Sequence, residues 1–196
     1  MPSKLKYDTA RFLRSCGSVK DFPEPTMPEV SFAGRSNVGK SSLLNRLVGR
    51  KALAKVSSTP GRTANINYFE VDGVWFVDLP GYGYAKVSRN ERQRWADLIG
   101  SYFDDERSFN LVVALVDIRL EAQRIDQEML GFLKERELPY VVALTKGDKL
   151  SRPKQQKQIA LLSQQLDVPR ERMIITSAQT GLGIDELRQR IEDACL

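Results

Sequence analysis

The chain has 196 residues, of which 41% are hydrophobic and 28% charged, and its formal net charge is +5. That length suits one well-buried domain and is short for two, and no apolar run approaches the roughly 18 residues of a membrane span. Histidine is absent, which removes imidazole general-base chemistry, Ser-His-Asp triads and most zinc sites together, so catalysis would rest on positioned phosphates, a hard metal and backbone dipoles.

Residues 1–28 read as an extension that precedes the core. Within them Ala10-Arg11-Phe12-Leu13 has the look of an edge strand, and Asp21 to Pro28, with its prolines at 23, 25 and 28, reads as a linker. The run Val30-Ser31-Phe32-Ala33 is a buried strand. It leads into Gly34-Arg35-Ser36-Asn37-Val38-Gly39-Lys40-Ser41, a full match to G-x-x-x-x-G-K-[ST], and then into a helix over Ser42–Leu47. Strand, small-residue loop and helix in that order make a phosphate cradle. Backbone N–H groups converge on one concavity, and the helix N-terminus adds partial positive charge.

A polar stretch from Gly49 to Asn65 follows. Tyr68–Val71 and Val74–Val77 flank Asp72-Gly73, a strong hairpin signal, so this pair is antiparallel at one edge of an otherwise parallel sheet. Trp95, Leu98, Ile99 and Tyr102 recur at i, i+3, i+4, i+7, which predicts a helix over 90–102. Leu111–Val116 is a strand, 126–137 a helix that stops before Pro139, Tyr140–Leu144 a strand, 153–166 a helix, Met173–Ile175 a strand. Ile184, Leu187 and Ile191 mark a last helix with Asp185 and Glu186 in its first turn. Strand–helix alternation of this kind implies a three-layer α/β fold of the P-loop NTPase type, with residues 29–196 as one nucleotide-binding domain. Ligands then sit beyond the carboxyl ends of the strands.

Four further segments fall in the order a GTPase requires. Asp78-Leu79-Pro80-Gly81 closes an apolar strand; Asp78 would hold a Mg²⁺-bound water, and the Gly81 N–H would meet the γ-phosphate. Thr145-Lys146-Gly147-Asp148 closes another. Its Asp148 carboxylate can accept from guanine N1–H and the 2-amino group, which adenine cannot supply, and the Lys146 stem can lie along the base. Thr176-Ser177-Ala178 can support the guanine carbonyl through backbone N–H. In the loop Pro60-Gly61-Arg62-Thr63-Ala64-Asn65, Thr63 is the candidate for the second protein oxygen on Mg²⁺ beside Ser41, with Thr59 as the rival. Lys40 would reach the outer phosphates, and Ser42 continues the cradle. Lys40, Thr63 and Gly81 are the candidates for work on the γ-phosphate.

On these motifs, and on the run Gly81-Tyr82-Gly83-Tyr84-Ala85, the chain resembles the Era, EngA and MnmE branch of P-loop GTPases, and most closely the EngB (YihA/YsxC) ribosome-assembly GTPases. The similarity runs from about Phe12 to the C-terminus. It implies a Ras-like G domain, a bacterial cytoplasmic location, action on a precursor of the large ribosomal subunit (rRNA, ribosomal proteins or both) and a link to normal cell division and septation. In MnmE-like relatives an Asn at the position of Asn37 helps hold K⁺; the other reading is that Asn37 merely suits the turn.

Ras-like enzymes place a Gln after D-x-x-G to orient water. Here that position is Tyr82, so hydrolysis is expected to be slow without a partner or ion. Tyr82 and Tyr84 are read as aromatic contacts for a partner in the GTP state, because a Gly-rich loop buries little; the other reading is core packing. The loops at 51–65 and 79–88 would order on γ-phosphate and Mg²⁺ and release on hydrolysis. Arg50, Lys51, Lys55, Arg62, Lys86, Arg89, Arg92 and Arg94 cluster near them, either as an RNA-facing surface or as a solvated one. A metabolic P-loop kinase would need an acceptor pocket and lid that are not found; a non-catalytic GTP-loaded adaptor stays open on Tyr82. No apolar surface is left over once the helices are assigned, which implies a monomer.

Overall fold

The computed structural model describes residues 4–54, 65–83 and 87–196. In chain order it contains β1 (Arg11–Cys16), β2 (Glu29–Gly34), α1 (Lys40–Val48), β3 (Ile66–Val71), β4 (Val74–Asp78), α2 (Arg89–Asp104), β5 (Phe109–Asp117), α3 (Arg124–Glu135), β6 (Tyr140–Thr145), α4 (Arg152–Leu166), β7 (Met173–Ile175) and α5 (Ile184–Cys195). Every strand and helix expected from periodicity is present. α3 begins and ends two residues earlier than its apolar pattern implied. The Gln123 N–H donates to Asp126 Oδ2 at 3.0 Å and starts the helix, and Glu137 turns left-handed at φ 53, ahead of Pro139.

The strands form one sheet in the order β1-β3-β4-β2-β5-β6-β7. β2 is parallel to β4 and β5, and β5, β6 and β7 continue in parallel; β3 runs against both of its neighbours. The Asp-Gly hairpin forms as expected, with Asp72 at φ 47 and Gly73 at φ 82, the pair of positive values that a two-residue turn between twisted strands needs. The N-terminal strand takes the outermost place. β1 satisfies the backbone groups that β3 would otherwise present along an open edge, and Phe12 packs edge to face on Phe69 across the pair.

Side chains part by period two to opposite faces of the sheet. Along β5, Leu111, Val113 and Leu115 join α1 and α5 in one buried cluster, with Leu5, Tyr7 and Ala10 from before β1. Val112, Ala114 and Val116 join α2, α3 and α4 in the other. The result is three layers, as the strand–helix alternation predicted. At the amino edge of the sheet a buried polar network ties elements together. Arg107 Nε donates to Glu29 at 2.8 Å, Tyr102 OH donates to the same carboxylate at 2.8 Å, and Arg107 also reaches the Pro23 carbonyl. On that side Leu5 N–H donates to Glu192 at 3.3 Å, and the Arg188 guanidinium lies 4.7 Å over the Tyr7 ring, which joins the N-terminal segment to α5. The carboxyl ends of β2, β4, β5 and β6 all point to the opposite edge, and there Gly34, Asp78, Asp117 and Thr145 end their strands.

Candidate functional site

The phosphate-loop pattern folds as its spacing predicts. Gly34 ends β2; Arg35, Ser36, Asn37, Val38 and Gly39 form the loop; Lys40, Ser41 and Ser42 open α1. Asn37 takes φ 64, a conformation that Asn tolerates better than most residues, so the turn alone accounts for it. Lys40 Nζ donates to Asp78 Oδ1 across the mouth of the site, and both side chains are nearly buried. The cation expected at the outer phosphates and the carboxylate expected at the metal are therefore brought into direct contact, one from the start of a helix and one from the end of β4.

The segment after Asp78 lies on the phosphate loop. Leu79 N–H donates to Phe32 O at 3.1 Å and Tyr82 N–H to Gly34 O at 3.3 Å, while the Tyr82 carbonyl accepts from Ser36 N–H at 2.8 Å. Parallel pairing of β2 with β4 is thus continued past both strand ends. Gly81 allows this approach: a Cβ there would stand 3.2 Å from Ser36 N. The side chain of Tyr82 corrects the expectation of an outward, partner-reading aromatic. It is 4% exposed and packs edge to face on Trp95, whose indole N–H donates to Pro80 O at 2.9 Å. A Gly-rich loop buries little by itself, but α2 supplies the apolar wall. Burial, with Asp126 close by, pushes the Tyr82 phenol well above its usual range. Asp126, almost wholly buried on α3, faces Arg35 of the phosphate loop at 3.3 Å, and its own carboxyl is raised by that burial. Tyr84 lies outside the described residues, as do Thr59, Pro60, Gly61, Arg62, Thr63 and Ala64.

At the neighbouring strand ends, Thr145 Oγ1 donates to Val38 O at 2.7 Å, and Lys146 Nζ donates to Asn37 O at 2.9 Å. These bonds fix the T-K-G-D segment to the phosphate loop. Gly147 N–H donates to Thr176 O at 2.9 Å, and Ser177 Oγ donates to Asp148 Oδ1 at 2.8 Å. That bond, helped by the Lys149 charge, holds the Asp148 carboxyl below its usual range. A groove of about 990 Å³ is lined by Gly39, Ser42, Thr145, Lys146, Asp148, Thr176 and Ala178, among others, so residues expected at the phosphates and at the base share one cavity.

One residue that the motif reading passed over completes this end. Asp117 closes β5 opposite Thr145 of β6 and takes Lys146 Nζ at 3.2 Å. Burial alone would raise its carboxyl; bonds from Arg119 and Lys146 overcome that and lower it. Its signal in the sequence was a carboxylate at the end of an apolar strand, the same placement that singled out Asp78. Asn65 is described, and its amide is bonded away from the groove, to Arg94 at 3.1 Å and to Ser15 at 3.1 Å. Arg94 is thereby half-buried, whereas Arg50, Lys51, Arg89 and Arg92 of the same basic cluster are exposed. Lys55, Arg62 and Lys86 lie outside the described residues.

A phosphate loop at a helix N-terminus, joined by side-chain bonds to a T-K-G-D segment on the same sheet edge, defines a P-loop GTPase. Comparison with known proteins gives the family. Residues 29–146 match a family model described as 50S ribosome-binding GTPase. The chain is 44% identical over 190 residues to a probable GTP-binding protein EngB of Prosthecochloris aestuarii, covering 96% of this chain and 98% of that protein. It is 46% identical over 189 residues to the corresponding protein of Pelotomaculum thermopropionicum, at 95% and 96% coverage. A crystal structure of a probable GTP-binding protein engB superposes with a TM-score of 0.71 at 32% identity, covering 85% of this chain and 98% of that one. The chain belongs to the EngB family of GTP-binding proteins. It binds guanine nucleotide and hydrolyses GTP.

Proposed function

We propose that this EngB-family chain is a magnesium-dependent GTP switch whose output is binding to the large ribosomal subunit during its assembly. It acts in the bacterial cytoplasm, and its failure disturbs cell division. The observation that carries the switch is that Lys146 and Asp148 line one groove with Gly39 and Ser42 of the phosphate loop, next to the Lys40–Asp78 pair, and that the Thr145–Val38 and Lys146–Asn37 bonds tie the two segments together. The ribosomal half is supported by the description of the matching family model.

In this reading Asp148 accepts from guanine N1–H and the 2-amino group, the Lys146 stem lies along the base, and backbone near Ser177 and Ala178 meets the guanine carbonyl. Backbone N–H groups from Asn37 to Ser42 cradle the phosphates. Lys40 exchanges its partner Asp78 for the outer phosphates. Ser41 offers a hard oxygen donor, the chemistry Mg²⁺ takes, with Thr63 as the second, while Asp78 would hold a metal-bound water; a magnesium site built on one carboxylate and substrate phosphates needs no larger acidic cluster. Bound Mg²⁺ would supply positive charge that neutralises the outer phosphates. Gly81, already seated on Ser36, would turn its backbone N–H to the γ-phosphate. Tyr82 is buried away from it, so no side chain at that position orients water, and turnover by the chain alone is slow.

The test is co-sedimentation with purified 50S subunits in a non-hydrolysable GTP analogue, in GDP and without nucleotide. Retention in the analogue at least severalfold above that in GDP is expected. Equal retention in all three would defeat the ribosomal switch and leave the nucleotide site standing.

A further inference from the structure

Two consecutive residues on one turn of α2 touch both flanks of the nucleotide edge. Trp95 binds the Pro80 carbonyl through its indole N–H at 2.9 Å and meets the Tyr82 ring at 5.9 Å between centroids. Pro80 and Tyr82 belong to the segment that lies on the phosphate loop through Gly34 and Ser36. Arg94 reaches the other way. Its Nη2 donates to Asn65 Oδ1 at 3.1 Å and to the carbonyl of Gly17, just past β1, at 3.5 Å. Asn65 also donates to Ser15 of β1 at 3.1 Å, and in sequence it directly follows Gly61–Ala64, where the remaining metal oxygen is expected.

We infer that Arg94 is a positioning residue that couples the Asn65 flank of the site to the Pro80–Tyr82 flank, so that GTP is distinguished from GDP by both flanks acting as one unit. The inference rests on reading the chain as a GTP switch. Its physical basis is rigidity. Arg94 and Trp95 share a helical backbone whose start is fixed by the reciprocal Ser88–Glu91 capping bonds at 3.2 and 3.0 Å. A displacement of Pro80 or Tyr82 that carries Trp95 therefore carries Arg94. A half-buried guanidinium that loses its amide and carbonyl acceptors gives up two charge-assisted hydrogen bonds, a cost above that of neutral ones. Asn65 and the Tyr82 segment thus hold their positions together or leave them together. The Arg94 bonds to Asn65 and Gly17 involve none of Lys40, Asp78, Lys146 or Asp148, so cutting them spares the groups that hold GDP.

The experiment uses the full chain with Trp75→Phe, which leaves Trp95 as the sole indole of the two in the sequence. Arg94→Met keeps the aliphatic stem and removes the donors; Arg94→Lys keeps the charge and removes the planar fork. Affinity for GDP and for a non-hydrolysable GTP analogue, both with Mg²⁺, is measured together with Trp95 emission. In Arg94→Met, GDP affinity stays within about twofold, affinity for the analogue falls at least about fivefold, and the emission difference between the two nucleotides disappears; Arg94→Lys falls between. In a cycle with Asn65→Ala, the double variant loses no more preference for the analogue than Asn65→Ala alone. Equal losses for GDP and analogue would make Arg94 merely structural and overturn the inference, as would an unchanged preference or additive losses in the cycle. If the Trp75→Phe parent itself fails to distinguish the two nucleotides in affinity and emission, the switch reading falls and this inference with it. If the parent distinguishes them and Arg94→Met does so equally, only the coupling falls.

Discussion

Asp148 presents a carboxylate to the groove with one oxygen already engaged by Ser177, an arrangement that keeps it ionised and oriented. Replacing it by Asn leaves one oxygen to accept from guanine N1–H and sets an amide donor against the 2-amino donor. Affinity for GTP is expected to fall by about 10- to 100-fold, the equivalent of a lost charge-assisted hydrogen bond. Affinity for xanthosine triphosphate rises, because the 2-oxo group accepts from the new amide. Competition against a fluorescent nucleotide measures both, and an unaltered base preference would remove Asp148 from the base site. The residues of the phosphate loop and of T-K-G-D were legible because their chemistry requires contiguous types at fixed spacing. Asp117 was not, since a carboxylate at a strand end has no assigned neighbour until the β5–β6 register sets it opposite Thr145 and beside Lys146. Tyr82 was misjudged for a similar reason: its burial is supplied by Trp95, thirteen positions further on and on another element.

The hairpin between β3 and β4 is the element most fully written in local sequence. Gly73 has open space around the position of a Cβ, so Gly73→Ala isolates the cost of its φ of 82°. A loss of about 1–2 kcal/mol in urea unfolding is expected, with nucleotide affinity unchanged. β1 was only partly legible, because most of its side chains are exposed and it carries little apolar periodicity; its place is fixed by β3. The network at the amino edge joins four segments through Glu29, whose carboxyl is raised from the ordinary 4.5 to about 7, burial outweighing the pull of Arg107. The fold binds this proton more tightly than the unfolded chain does. The stabilisation from Glu29 is therefore complete below about pH 4.5 and is lost as pH rises toward 7. Glu29→Gln should flatten that part of the stability profile, as followed by thermal unfolding at pH 5 and pH 7.5. A decline equal to that of the parent would assign it to other groups. Glu29→Ala should cost more, about 3–5 kcal/mol, because it leaves Arg107 as an uncompensated buried charge.

At the scale of the whole molecule, the three layers bring the carboxyl ends of β2, β4, β5 and β6 to one edge, and strand–helix alternation was enough to foresee this. The long-range clasps were not foreseeable, since Arg107 to Glu29 and Arg94 to Asn65 depend on how distant elements dock. With Tyr82 withdrawn from the site, single-turnover GTP hydrolysis is expected to accelerate when purified large subunits are added. An unchanged rate would mean that hydrolysis is completed by something else. If the contact includes rRNA phosphates, binding weakens steadily as salt is raised.

The junction of Leu5 and Tyr7 with Glu192 and Arg188 also bears on the order of events during synthesis. Leu5 and Tyr7 are translated well before α5, yet their resting place includes that helix. While α5 is still inside the exit tunnel, the apolar faces of Leu5, Tyr7 and Ala10 lack part of their cover, and α1 lacks its neighbour. The nascent chain therefore completes this packing only once α5 has emerged, and until then it offers an exposed greasy surface that a chaperone can hold.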